Sequence, residues 1–359
     1  MKKSLQSVLQ LVGLLVLTSA CSTVRIRVPV MRPAEVNLRG KSEIIVGEFT
    51  GPQANAIESR VKEAIAASKY LTLLSRTQQD KVMTELALKQ SDLADPNAQK
   101  KVGKLLTGSI LLTGVVDTNQ AIENPWQESA QCQVGSGNNK QYIPCTHHHR
   151  RVTATVGFGF DLIDIQTGMN IKPKRLECQR MAETHFTDTN PVNNNSIVGL
   201  VRAIKGTEGP NRAPPIDGTH MLADCHDEVA ARLMQTIAPW QDHVIALFRK
   251  DGKLPQLEMG IEYAKIGDWN SAIARFSEAQ KMADNTPGLN QNTIGKAYWD
   301  LGMAYLYTSR FDEAVKAMQH AYEVTHDAEY LRELGTVEQM KQEREKLLEQ
   351  TGEPAVPRS

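Results

Sequence analysis

Along residues 152–162 apolar and polar positions alternate without a break. Val152, Ala154, Val156, Phe158, Phe160 and Leu162 stand against Thr153, Thr155, Gly157, Gly159 and Asp161. Side chains of a strand point to opposite faces in turn, so the segment predicts a long strand with one buried face. "DIQTG" at 164–168 supplies turn residues, and a return strand is predicted at 174–186. Upstream, "SEIIVGEF" (42–49) reads as a strand. Ile57, Val61, Ala64, Ile65 and Ser68 then fall at i, i+4, i+7, i+8 and i+11, one face of a helix. "YLTLLS" (70–75) is a second strand. Thr77 and Asp80 make a capping-box-like start for a helix carrying Val82, Met83 and Leu86. A short helix over 97–105, a strand "SILLTGVVD" (109–117) and a helix near 223–238 with Val229, Leu233 and Ile237 on one face complete this half. Residues 119–150 and 187–222 show neither period and are expected to be long irregular insertions.

Beyond residue 256 the pattern becomes purely helical. "LEMGIEYAKIGDWNSAIARFSEAQKM" and "AYWDLGMAYLYTSRFDEAVKAMQHAY" align without gaps: Gly260 with Gly302, Tyr263 with Tyr305, Trp269 with Phe311, Ala272 with Ala314, and Ala279 with Ala321. Small residues recur where two helices of a hairpin cross, and large ones fill the spaces between. The two segments resemble the tetratricopeptide repeat, a helix-turn-helix unit. They lie 42 residues apart (260 to 302), where the usual period is about 34. "NTPGLNQNT" is expected to lengthen the connection. Residues 326–350, with Leu331, Leu334 and Met340, are expected to supply a degenerate capping helix pair. Trp299, Met303 and Leu306 form a stripe beside the crossing residues, with Lys296 at its rim. The resemblance places that stripe in a concave groove suited to a helix or peptide, Lys296 holding a carboxylate; the competing reading is contact with the capping helix or the first domain.

The fold class expected is α+β: an N-terminal three-layer-like α/β domain with a mixed sheet over 42–238, then an all-α repeat domain over 257–350. Residues 21–41, with two prolines and no helical period, read as an extended tether; 239–256 read as a linker and 351–359 as a tail.

Charge adds little. With 41 basic and 41 acidic residues among 359, nothing draws the chain toward nucleic acid. The N-terminus adds more. Lys2 and Lys3 precede a largely apolar run, Leu5 to Ala20, too short for a span of about 20 residues and shaped like a secretory signal, residues 1–20. Thr18-Ser19-Ala20-Cys21 resembles a bacterial lipobox, although an aliphatic residue is commoner at the first position. The resemblance implies cleavage before Cys21 and a lipid on its sulfur. Ser22, in place of the Asp often linked to inner-membrane retention, leans the expectation toward an outer-membrane, periplasm-facing lipoprotein.

Four cysteines remain: Cys132, Cys145, Cys178 and Cys225. An even number in an exported chain suggests two disulfides, with three pairings possible. Cys132–Cys145 would close a polar loop, which favours that pair together with Cys178–Cys225; the spacing fits no CxxC zinc pattern. No P-loop, HExxH or GxSxG occurs, and Gly157-Phe158-Gly159 lies inside a strand. His147, His148 and His149 point alternately in an extended chain, so at most two share a face. Asp224, His226 and Asp227 do not face one another on a helix. No enzyme activity, cofactor or metal is expected.

The order of elements, carried by "IIVGEF", "LTLLSRTQQDKVMTEL", "VGKLLTGSILLTGVV" and "VGFGFDLIDIQTG", resembles the curli secretion-channel lipoproteins. The penicillin-binding-protein activator lipoproteins share that architecture. The likeness covers about 42–118 and 152–238. It implies a periplasmic accessory or assembly role; with the repeats, the expectation is a lipid-anchored scaffold or assembly factor of an envelope secretion or assembly system, a possible homo-oligomer, that binds protein partners through its helical repeats. The alternative it implies is a curli-type outer-membrane channel subunit whose insertions supply barrel strands. Pro125, Pro144 and "CTHHHRR" in the first insertion, and the lack of aromatics in the second, are poor barrel chemistry.

Overall fold

The computed structural model describes residues 23–74, 109–137, 139–189 and 211–352, with Asp95 and Asn97 besides. Cys21, the helices expected at 77–86 and 97–105, and most of the 187–222 insertion lie outside the described residues. The chain divides into two units: residues 40–238, and residues 1–39 together with 239–359.

The first unit is built on a five-stranded mixed sheet in the order β3-β2-β4-β5-β6. Its strands are β2 (Glu43–Thr50), β3 (Thr72–Leu73), β4 (Ser109–Val134), β5 (Gln141–Asp164) and β6 (Met169–Asp188). β2 runs parallel to β3 and β4, whereas β4, β5 and β6 form an antiparallel meander. Helices α1 (Ala54–Ala67) and α2 (Gly218–Ile237) lie side by side over the sheet. Ile57, Val61 and Ile65 of α1, which packs on β2 and α2, and Val229, Leu233 and Ile237 of α2, which packs on β4, β5 and β6, are buried together with Val156, Phe158 and Leu162 of β5. Asp217 caps α2, accepting from the amides of Thr219 and His220 at 3.0 Å.

One expectation fails here. Residues 119–150 are not an irregular insertion but the outer half of a long hairpin, paired from Ile110↔Asp164 to Val134↔Gln141 with one register shift between Val116 and Thr118. β6 extends the pairing to Thr146↔Asp188. The strand signal was hidden because both faces of this extension are polar, so alternation had no contrast to show.

The second unit contains a two-stranded ribbon and five helices among its described residues. β1 (Thr23–Arg32) pairs antiparallel with β7 (Trp240–Arg249), Thr23 opposite Arg249 and Arg32 opposite Trp240. The helices are α3 (Pro255–Lys265), α4 (Trp269–Asn285), α5 (Gln291–Tyr307), α6 (Phe311–Thr325) and α7 (Ala328–Thr351). Asp268, Asn290 and Asp327 cap α4, α5 and α7 with side-chain oxygens.

Within the segments expected as tether and linker, residues 23–32 and 240–249 are therefore strands. Val24, Ile26, Val28 and Val30 alternate with exposed residues and share a face with Val244, Ala246 and Phe248, which joins the helical core. Pro29 is tolerated because each strand of a two-stranded ribbon is an edge. Residues 33–39 are fixed too. The Ala34 amide donates to Gln350 Oε1 at 2.8 Å, and Gln350 Nε2 donates to the Ala34 carbonyl at 2.9 Å. Arg32 pairs with Asp242 and with Glu343 of α7. In place of the capping helix pair expected at 326–350 there is one continuous helix, α7, from Ala328 to Thr351.

Candidate functional site

The repeat crossings form as the aligned residues demand. A Cβ on Gly260 would run into the Phe276 ring, and one on Gly302 would come within 3.0 Å of Met318 Cγ. Ala272 and Ala314 are fully buried opposite these points. Tyr263, Tyr305 and Phe311 are partly buried against the same core, and Trp269 stacks obliquely on Phe248 and Tyr307.

The stripe beside the crossings is not an open groove. Trp299, Met303 and Leu306 are at most 2% exposed. The Trp299 indole N–H donates to the Leu247 carbonyl of β7 at 2.7 Å, and its ring lies 5.0 Å from that of Tyr330 on α7. The Arg249 guanidinium sits 5.1 Å from the Trp299 ring centre and 5.0 Å from that of Tyr330, and pairs with Glu329 at 2.6 Å. Lys296 does hold a carboxylate, but one of this chain: Asp251 Oδ2, at 3.0 Å. Burial would raise the Asp251 pKa, but hydrogen bonds from the Lys253 amide, Lys296 and Thr293 outweigh it and hold the carboxyl below its ordinary value. The expected partner-binding residues are thus occupied by the chain's own ribbon, the following loop and α7.

Asp300 and Arg249 were missed by sequence reasoning. Asp300 lies buried in α5 and accepts the Arg249 amide proton at 2.8 Å. Its other carboxylate oxygen and Arg249 Nε are buried without a hydrogen-bond partner among the described residues. Burial pushes the Asp300 pKa well above its ordinary value, despite Arg249 and Lys296 nearby. The signal was a lone acid in the apolar run "AYWDLGMAYLY".

In the α+β unit both disulfides form, Cys132–Cys145 and Cys178–Cys225, with Cα separations of 5.7 and 5.4 Å. On the sheet face away from α2, Trp126 stacks on His149 at 4.8 Å, Arg151 lies over the indole, and Glu183 pairs with Arg151 at 2.8 Å. The Arg151 hydrogen bond lowers the Glu183 pKa. The three histidines alternate as expected: His147 and His149 share this face, whereas His148 is buried against Phe186 on the other. Asp224, His226 and Asp227 diverge. His226 Nε2 lies 3.2 Å from Asn119 Oδ1 and its pKa is lowered by burial; Asp227 pairs with Arg60, and Asp224 approaches His220 and Arg180.

These features define a helical-repeat unit joined to an α+β unit with a mixed sheet. Residues 256–327 match the tetratricopeptide repeat family. No curated protein matches the chain. Among solved structures it is similar to the LpoB C-terminal domain from Salmonella enterica, at 16% identity over 40% of this chain and 85% of that one, TM-score 0.25. It is also similar to lipoprotein GNA1162 from Neisseria meningitidis, at 11% identity over 46% and 94%, TM-score 0.24. A third is the PelC dodecamer from Paraburkholderia phytofirmans, at 13% identity over 60% and 99%, TM-score 0.24.

Proposed function

We propose that this chain is a lipid-anchored envelope protein whose helical-repeat unit holds a protein partner, with no reaction of its own. The observation that carries the reading is the pair of tetratricopeptide hairpins at 256–327. Because the ribbon fills the face beside Trp299, the partner uses the remaining surface. Met259, Ile266 and Met282, all on the first hairpin, are exposed apolar residues suited to a helix or peptide.

The ribbon also supports anchoring. β1 begins at Thr23, two residues after Cys21, so a lipid there would hold the repeat unit close to the bilayer. The outward ribbon face presents exposed Arg25, Arg27, Met31 and Ile245, cationic and apolar groups that suit an anionic headgroup layer. No helix among the described residues is long and apolar enough to cross a membrane; this does not bear on barrel strands. The channel reading is not adopted, because the hairpin extension carries Glu123, Gln127 and Gln131 on one face and Asn124 and Glu128 on the other. A barrel strand presents an apolar band to lipid.

The test places a photo-crosslinking residue at Met259 or Met282 in cells. One discrete protein adduct is expected at these positions and none at exposed Lys316. Adduct-free chains at both sites would refute the partner reading. Failure of Cys21→Ser to release the protein from membranes would refute the anchor.

A further inference from the structure

The outer end of the β4–β5 hairpin gathers three metal-ligating atoms. Cys132 Sγ, Cys145 Sγ and a ring nitrogen of His147 lie within 4.8 Å of one another. The register puts them on one face: Ala130 opposite Cys145, Cys132 opposite Ile143, and Glu128 directly opposite His147. Residues directly opposite in an antiparallel pair have Cβ atoms about 5 Å apart, but the Glu128 carboxylate is turned to the Trp126 indole N–H, from which it accepts at 3.2 Å, and lies outside the cluster.

His147 is held in the orientation a metal ligand needs. Its Nδ1 lies 2.9 Å from Thr187 Oγ1, and its Nε2 lies 4.0 Å from Cys132 Sγ. With Nδ1–H donating to the Thr187 oxygen, Nε2 carries the lone pair and faces the sulfurs. Ligating histidines are oriented by such an outer hydrogen bond from the other ring nitrogen. The cysteines are closed as a disulfide in this structure, so their sulfurs stand in for the thiolates that would ligate. The other bridge, Cys178–Cys225, is fully buried, whereas Cys132 is half-buried. Access therefore favours reduction of Cys132–Cys145 first.

We propose that this hairpin end is a thiol-gated site for a d10 cation such as Zn2+. Cys132 Sγ, Cys145 Sγ and His147 Nε2 are its ligands, and water fills the fourth position of the tetrahedron. In the oxidised chain the sulfurs are bonded to each other and the site is shut. A dithiol reductant opens it: the S–S bond breaks, two thiols form, and the reductant closes to its own disulfide. Zn2+ then displaces the two thiol protons to solvent. With Zn–S near 2.3 Å, tetrahedral coordination separates the sulfurs to about 3.7 Å. Side-chain rotation from the present 5.7 Å Cα separation supplies that movement.

The test uses the full chain, oxidised or reduced with a phosphine, which takes its oxygen from water as the disulfide becomes two thiols. Zn2+ is titrated against a chromophoric chelator, and Co2+ serves as a spectroscopic substitute. One ion per reduced chain and none per oxidised chain is expected, with thiolate-to-cobalt charge-transfer absorption. Thr187→Val should weaken Zn2+ about tenfold and His147→Ala more, while Cys178→Ala/Cys225→Ala should leave binding intact. Hydrogen exchange across 119–151 should slow when Zn2+ joins the reduced chain, which keeps the test open if reduction loosens the hairpin. Equal Zn2+ binding by Cys132→Ser/Cys145→Ser, unchanged affinity in His147→Ala, or a cobalt spectrum without thiolate bands would each overturn the proposal.

Discussion

Replacing Trp299 by alanine separates a filled face from an open groove. In the structure the indole is buried among β7, α5 and α7, donates to the Leu247 carbonyl, and lies within cation–π distance of Arg249. Truncating a buried tryptophan costs about 3–5 kcal/mol. A figure of about 4 kcal/mol raises the open population of this unit roughly a thousandfold. Trp299→Phe keeps most of the ring but orphans the Leu247 carbonyl, for about 1–2 kcal/mol. The assay is native-state hydrogen exchange on peptides covering 240–249 and 291–307, because a chain of two units need not unfold in one step. Trp299→Ala should speed exchange in both peptides together, since the ribbon loses its main anchor. A change below about 1 kcal/mol in both would mean that the tryptophan stands free, as a partner-binding groove requires, and would refute the argument.

Three further perturbations follow from the same core. Asp300→Asn keeps an oxygen for the Arg249 amide while removing a charge whose pKa is raised by burial. Both states of the native chain are neutral at this residue below its ordinary pKa; as pH rises the unfolded chain ionises first, so Asp300 takes stability away until the folded pKa is passed. The asparagine variant should therefore lose less stability between pH 4 and neutrality in urea titrations, and destabilisation above about 2 kcal/mol at neutral pH would show an ionised pair with Arg249 instead. Gly260→Ala must displace the Phe276 ring and should cost about 1–3 kcal/mol, whereas Gly302→Ala meets the flexible Met318 and should cost less; the reverse order in thermal melts would contradict the crossing geometry. A fragment spanning 255–352, which lacks the ribbon, should show no cooperative unfolding by circular dichroism, and a sharp transition would show that the ribbon is dispensable.

What could be seen in the sequence follows contrast between faces. β5 within 152–162 has one face buried under helices, so its alternation was plain, and β2, α1 and α2 showed equally well. The mixed sheet and the repeat hairpins were legible for that reason. The outer hairpin was not, because neither of its faces is apolar. β1 alternates at Val24, Ile26, Val28 and Val30, but Pro29 and Pro33 and the lack of a helical period made an extended tether the simpler reading. Within the candidate site, the sequence marked Trp299, Met303, Leu306 and Lys296 as a stripe with a shared purpose. It did not show what covers them, because the covering strand comes from two segments more than two hundred residues apart, Val24–Val30 and Val244–Phe248. Pairing at that separation leaves no local trace.

The ribbon answers a deficit that the repeats have on their own. Each hairpin of such a stack buries only part of its apolar surface, and roughly three or more are needed before the stack is stable. Here there are two, α3–α4 and α5–α6. The open sides of Phe276, Trp269 and Trp299 would face water if nothing else were supplied. Ile26, Val28, Ala246 and Phe248 supply one cover, and Tyr330 and Val337 of α7 supply another, all within the same buried cluster. The stripe is therefore apolar for the reason a capping interface is apolar, and its tryptophan carries a hydrogen bond to backbone because the cap is a strand. A partner that used this face would have to displace β7 and leave Asp300 and Arg249 without each other. The exposed methionines of the first hairpin ask for no such exchange, which is why they, and not the filled stripe, are the surface on which binding is expected.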